Sequence, residues 1–258
     1  MATLGSGMPA VAAPIVPTFD EFDELSEADF GGTGIPNDPV AISRFSRDNG
    51  SDLFGNPLAP TDITLGLAAH GRFSNTLNGN DGAGTYFAKA GSNTPAGTSF
   101  EGATWNFDFF MDIDNSSLGE FVLELFYDFN PTSGTDESSH GVWNFNDAIS
   151  VGGGDPFDVK TVQSSQNLMF GFLADGAVPG ITPPPGSFDP DALGEYSFAL
   201  VLSQQDASDR TVLNELVRSA IHVEVQAAQT VPVPEPASLA LLGLGLAGIG
   251  FSRRKARG

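Results

Sequence analysis

Hydrophobic side chains recur at every second position through the middle of the chain. Ile63, Leu65, Leu67 and Ala69 alternate with polar or small neighbours, as do Trp105, Phe107, Phe109, Met111 and Ile113, then Phe121, Leu123, Leu125, Tyr127 and Phe129. A period of two sends successive side chains to opposite faces of a pleated strand, so these runs predict strands with one face on a core. The second and third are expected to pair as an antiparallel hairpin, because Asp114-Asn115-Ser116-Ser117-Leu118-Gly119 between them supplies turn residues. Their other faces carry Asn106, Asp108, Asp112, Glu124 and Asp128, the pattern of a sheet with one side in solvent. Phe110, Val122 and Phe126 break it and predict that part of the second face is covered as well.

Later strands are predicted at Val142 to Ile149, Asn167 to Leu173, Tyr196 to Ser203 and Ala220 to Gln226. ITPPPGSFDPD lies among them as a loop, since proline has no amide hydrogen for a ladder. ASDRTVLNELVRS reads either as a helix of about two turns or as a hairpin loop with partial strand. Residues 19–60 read as an irregular lead-in, acidic at FDEFDELSEADF and then punctuated by GGTGIPNDP and GNPLAP, with one helical turn conceivable at Asp23 to Phe30. About eight short strands separated by Gly- and Pro-rich loops give an all-β chain, a β-sandwich or jelly roll spanning 61–228, with one short hydrophobic helix at the carboxy terminus. Trp105-Asn106-Phe107 and Trp143-Asn144-Phe145 echo each other, which is too little for a repeat and fits two strands of similar composition.

Composition narrows the function classes. Of the formal charge of −21, residues 1–231 carry 31 acids against 7 bases, or −24. Such a surface repels phosphate backbones, so no nucleic-acid partner is expected. Without cysteine there are no disulfides, thiolate metal sites or cysteine nucleophiles. His70, His140 and His222 share no metal-ligand spacing, and His222 alternates with Ile221, Val223 and Val225 as a solvent-facing strand residue would. No nucleophile elbow or phosphate loop is present, and Gly152-Gly153-Gly154 runs into Asp155-Pro156 rather than into a lysine. The chain is therefore read as a non-enzyme, although 32 acids leave room for a carboxylate pair of the glycosidase kind. In DFNPTSGTDE, Asp128, Asn130, Asp136 and Glu137 are weak calcium candidates, with Asp112 and Asp114 able to join from the neighbouring strand. The simpler reading is an Asx-Pro turn, because Ser133 and Ser139 stand where an EF-hand loop needs glycine and glutamate.

The two ends concern location. Residues 1–18 contain Ala10-Val11-Ala12, a small-x-small step suited to signal-peptide cleavage before Ala13, but no basic residue precedes it and Gly5, Ser6, Gly7 and Pro9 interrupt the apolar run. Either the true start lies upstream, or Ala10 to Pro17 is a flexible end. At the other terminus a proline linker, 229–236, leads into residues 237–251, which carry no charge and as a helix would extend roughly 22 Å. That is short for a bilayer core of about 30 Å but can cross with thinning and snorkelling. Arg253, Arg254, Lys255 and Arg257 in the basic tail 252–258 hold that side in the cytoplasm and leave the acidic body outside.

Val233-Pro234-Glu235-Pro236-Ala237-Ser238-Leu239, the apolar glycine-containing run and Arg253-Arg254-Lys255 together resemble the PEP-CTERM sorting signal of Gram-negative bacteria. The resemblance implies export by the general secretory route, arrest in the inner membrane, and recognition by an exosortase, a membrane cysteine transpeptidase. It further implies a cell-surface or extracellular life linked to biofilm and exopolysaccharide. The same module goes under an ice-binding heading, but the body has no rows of Thr-x-Thr, and antifreeze activity is not expected. GGTGIPNDPVAIS, NDGAGTYFA, ATWNFDF and FYDFNPTSGTDE resemble uncharacterised exported members of that class. A carbohydrate-binding or carbohydrate-active sandwich is the alternative for the body.

Overall fold

A computed structural model describes residues 13–74, 79–95, 97–206, 208 and 210–227. In chain order the strands are β1 (Glu21–Asp23), β2 (Val40–Arg47), β3 (Thr61–Gly71), β4 (Gly79–Asn80), β5 (Thr85–Lys89), β6 (Ser92–Asn93), β7 (Gly102–Ala103), β8 (Trp105–Asp114), β9 (Phe121–Tyr127), β10 (Gly141–Asn144), β11 (Thr161–Gln166), β12 (Ile181–Thr182), β13 (Gly194–Gln205) and β14 (Val212–Gln226). Two short helices, α1 (Phe145–Val151) and α2 (Gly171–Asp175), fall between them. A five-stranded sheet runs β1-β2-β3-β8-β11 and a seven-stranded sheet runs β12-β10-β9-β13-β14-β5-β4, while β6 and β7 form a small separate pair. All neighbours are antiparallel except β14 and β5. The chain is all-β with a core of aromatic and aliphatic side chains, consistent with a sandwich.

The core forms where the period-two faces meet. Phe107 on β8 stacks on Phe198 of β13 with centroids 4.8 Å apart, and Trp105 meets Tyr196 and Phe198 at 5.9 and 6.2 Å. Phe109 meets Trp143 and Phe145 at 5.7 and 5.0 Å. Trp105–Ile113 and Phe121–Phe129 were expected side by side as a hairpin, yet β8 belongs to the five-stranded sheet and β9 to the seven-stranded one. Alternation reports which residues face the core, and two strands facing each other across it show the same pattern as two strands paired within one sheet. The link between them turns through Asn115 in the left-handed region, φ 58°, and a single 3₁₀ turn at Leu118–Glu120.

Three other expectations need correction. Residues 19–60 contain β1 and β2, which extend the first sheet, and Asp23 to Phe30 holds a turn closed from Ala28 N to Leu25 O, with no helix. The strand expected at Val142 to Ile149 stops at Asn144, whose side chain accepts from Asp147 N and caps α1. An N-cap of this kind outweighs the alternation that follows it. Asn167 to Leu173 is a turn closed from Phe170 N to Asn167 O, followed by the first residues of α2. In the stretch around 212–219 the strand alternative holds, since β14 runs from Val212 without a helix.

The outer faces are partly roofed, as the Phe110 and Phe126 irregularities required. Leu25, Ala28 and Phe30 lie buried over the first sheet, where Gly66 lacks the Cβ that would run into Leu25 and Val40. Residues 13–18 cross the second sheet through bridges Pro14↔Asp136 and Thr18↔Ala220, and Ile15 packs with Phe126, Ala199, Val201 and Ala220.

Candidate functional site

On the outer face of the first sheet, His70 of β3 and Asp108 of β8 are diagonal neighbours two register positions apart, with Ser165 of β11 directly opposite Asp108. His70 Nδ1 and Asp108 Oδ2 are 2.6 Å apart, and the aspartate is fully buried. Burial pushes the Asp108 carboxyl above its ordinary value, and hydrogen bonding and charge from His70, with the Ser165 hydroxyl, offset part of that push. Neighbouring amides hold the cluster: Asn167 Nδ2 donates to Asn106 Oδ1, and Asn106 Nδ2 donates to Ser165 Oγ at 2.9 Å. With Nδ1 engaged by the carboxylate, Nε2 of His70 is left for a partner in the hollow. His70 lines a hollow of about 290 Å³ together with Arg72, Phe73, Asn106, Ser164 and Ser165.

Arg72 and Phe73 also wall a second hollow of about 900 Å³, whose other sides include Phe100, Glu101, Phe170 and Phe172. The Arg72 guanidinium donates to the carbonyls of Asn93 and Phe100 and stacks 4.3 Å from the centroid of Phe73. It passes over Gly102, where any Cβ would collide with it. Burial lowers its pKa. The chemistry available is hydrogen bonding from a preset cation, an imidazole nitrogen and hydroxyls, beside flat aromatic faces. Sequence reasoning weighed His70 only as a zinc ligand and passed over Arg72, since neither has a spacing motif; the Asn106–Asp108 outward face was the usable signal.

Asp108 and Asp128, expected on solvent faces, are both buried. Asp128 Oδ1 accepts from Asn130 N at 2.6 Å, its Oδ2 lies 3.8 Å from His140 Nε2, and burial raises its pKa. His140 is hydrogen-bonded at both nitrogens, Nδ1 to the Asp136 carbonyl at 3.1 Å and Nε2 to Ser197 Oγ at 2.7 Å. The His140 and Asp128 side chains are closed off from solvent, so this Ser-His-Asp grouping braces the 128–140 loop against β13. Of the calcium candidates, Asn130 and Asp136 line an open hollow of about 720 Å³, Asp128 is buried beneath it, and Glu137 pairs with Arg218 at 2.8 Å. Asp112 and Asp114 stand on β8 in the other sheet, Asp112 accepting from Thr161. The candidates therefore do not converge, and among the described residues no group of three or more His, Asp or Glu is arranged to hold a metal. His222 corrects its expectation: Nε2 donates to the Ile15 carbonyl at 2.9 Å, Nδ1 lies 3.2 Å from Glu195, and the side chain is only 12% exposed.

Val233–Leu239, the run 237–251 and Arg253, Arg254, Lys255 and Arg257 lie outside the described residues. Among the described residues no helix is long and apolar enough to cross a membrane. Residues 232–255 match the PEP-CTERM protein-sorting motif. No curated protein and no solved structure matches the chain. The motif implies export, an exosortase as processing partner, and sorting to the cell surface.

Proposed function

We propose, from the premise that the carboxy terminus is a PEP-CTERM sorting signal, that the protein reaches the surface by way of a brief stop in the inner membrane. Residues 237–251 hold it there, Arg253, Arg254, Lys255 and Arg257 keep the end cytoplasmic, and the exosortase acts at Val233–Leu239. The match over 232–255 carries this reading. The body then works in the biofilm matrix as a binding module without catalysis, its ligand an exopolysaccharide. Support for binding comes from the exposed rings of Phe73 and Phe100, grouped over one hollow with Arg72. Against a glycosidase, which needs two carboxyl groups facing one bond, the buried acids do not face each other: Asp108 is on β8 of the five-stranded sheet, Asp128 follows the end of β9 in the seven-stranded one, and each sits beside its own histidine.

Epitope tags on either side of Pro234-Glu235-Pro236, followed in an exosortase-positive cell, test the sorting step. The expected result is separation of the tags with the body outside the cytoplasm, and retention of the joined form in the membrane when Val233–Leu239 is deleted. A full-length body that stays cytoplasmic with both tags joined overturns the proposal.

A further inference from the structure

The polar hollow at His70 and the aromatic hollow at Phe100 adjoin at Arg72 and Phe73, which wall both. Four phenylalanines gather over the second: Phe100 and Phe73 are 73% and 60% exposed, and Phe170 and Phe172 lie with centroids 6.0 Å apart and planes tilted by 32°. Single exposed rings are common on protein surfaces, but a contiguous aromatic floor is a mark of a binding site. The polar half is held in place before any ligand arrives. Arg72 is fixed between Phe73 and Gly102 by two carbonyls, and His70 is fixed by Asp108. Preset groups of this kind cost little ordering entropy on binding.

Charge selects the class of occupant. Among the described residues, Arg72 and Glu101 are the full charges of opposite sign on these walls, so the groove is close to neutral, while residues 1–231 carry −24. A polyanion would meet that field within a screening length of about 8 Å. A polycation would lose the hydration of its charges against the rings and Arg72. We propose that this groove is a glycan-binding site for an uncharged polysaccharide, with pyranose rings lying on Phe100 and Phe73, neighbouring hydroxyls accepting from Arg72, and one hydroxyl hydrogen-bonded to His70 Nε2. It rests on the matrix-binding reading above and names where and what the body binds.

The test is native affinity electrophoresis of the full-length chain in a polyoxyethylene detergent, through gels containing hydroxyethylcellulose, a soluble β-1,3-glucan or a galactomannan, with alginate as the charged comparison. Retardation by at least one uncharged polymer is expected, weakened roughly tenfold by Phe100→Ala, as loss of a ring partly covered by the bound sugar implies. Phe54→Ala removes a ring that is 90% exposed on a different loop and is expected to leave retardation unchanged. Retardation by alginate alone, equal loss in both variants, or no retardation in any gel overturns the proposal. If the tags show export and processing at the same time, such a result removes the glycan groove and leaves the sorting reading standing.

Discussion

Asp108 sits on the outer face of a sheet and is nevertheless the most deeply buried acid of the first layer, with His70 Nδ1 2.6 Å from its Oδ2. Asp128 and Glu124 are likewise pushed above their ordinary values, by burial first. A carboxyl whose pKa is higher folded than unfolded makes the native state bind more protons, so its contribution is complete below the unfolded value, about 3.9–4.3, and is lost as pH rises through the folded one. Self-repulsion of a body at −24 acts in the same direction. Asp52, lowered by Asn56 and then by backbone amides, works the other way and loses its contribution as pH falls below about 4. The melting temperature is therefore expected to be higher near pH 5 than near pH 8. Scanning calorimetry across that range checks it, and a melting temperature that climbs toward pH 8 would contradict it.

At the scale of elements, one side chain does the work of a missing strand. Asn167 is buried where period-two reasoning placed the start of a strand, and its amide bonds the backbone of Ala103 at both N and O, the Trp105 carbonyl and Asn106. Asn167→Ala would leave those backbone groups buried and unpaired, at about 1–3 kcal/mol each, so a loss of at least about 3 kcal/mol is expected in urea unfolding. Phe107→Ala removes the ring that stacks between the sheets on Phe198 and is expected to cost about 3–5 kcal/mol. A shift below about 1 kcal/mol in either variant would mean that the packing described here is wrong. The sheet edges are protected too. β1, β4 and β12 are two or three residues long, and the longer edge strand β11 is the polar TVQSSQ. Short and polar edges discourage strand addition by other chains, a need for a protein concentrated at a surface.

For the whole molecule, the sorting signal and the fold were legible to different extents. Three features local in sequence, the Pro-Glu-Pro step, the uncharged run and the arginine cluster, identify the tail without any coordinates, and residues 232–255 match the PEP-CTERM motif. Period two likewise gave the class of fold and the identity of the core rings, because each needs only neighbouring residues to be read. Pairing did not follow. The separation of β8 and β9 into two sheets, and the strands hidden in 19–60, depend on residues far apart in the chain. The candidate groove depends on tertiary contact throughout: His70 and Asp108 are 38 residues apart, and Arg72 reaches the Phe100 carbonyl 28 residues on. What the sequence by itself determined was an address and a binary pattern, since both are written in consecutive side chains. What only the tertiary structure decided was which polar residues escape solvent and converge, since burial and proximity come from how the two sheets and their roofs close over them.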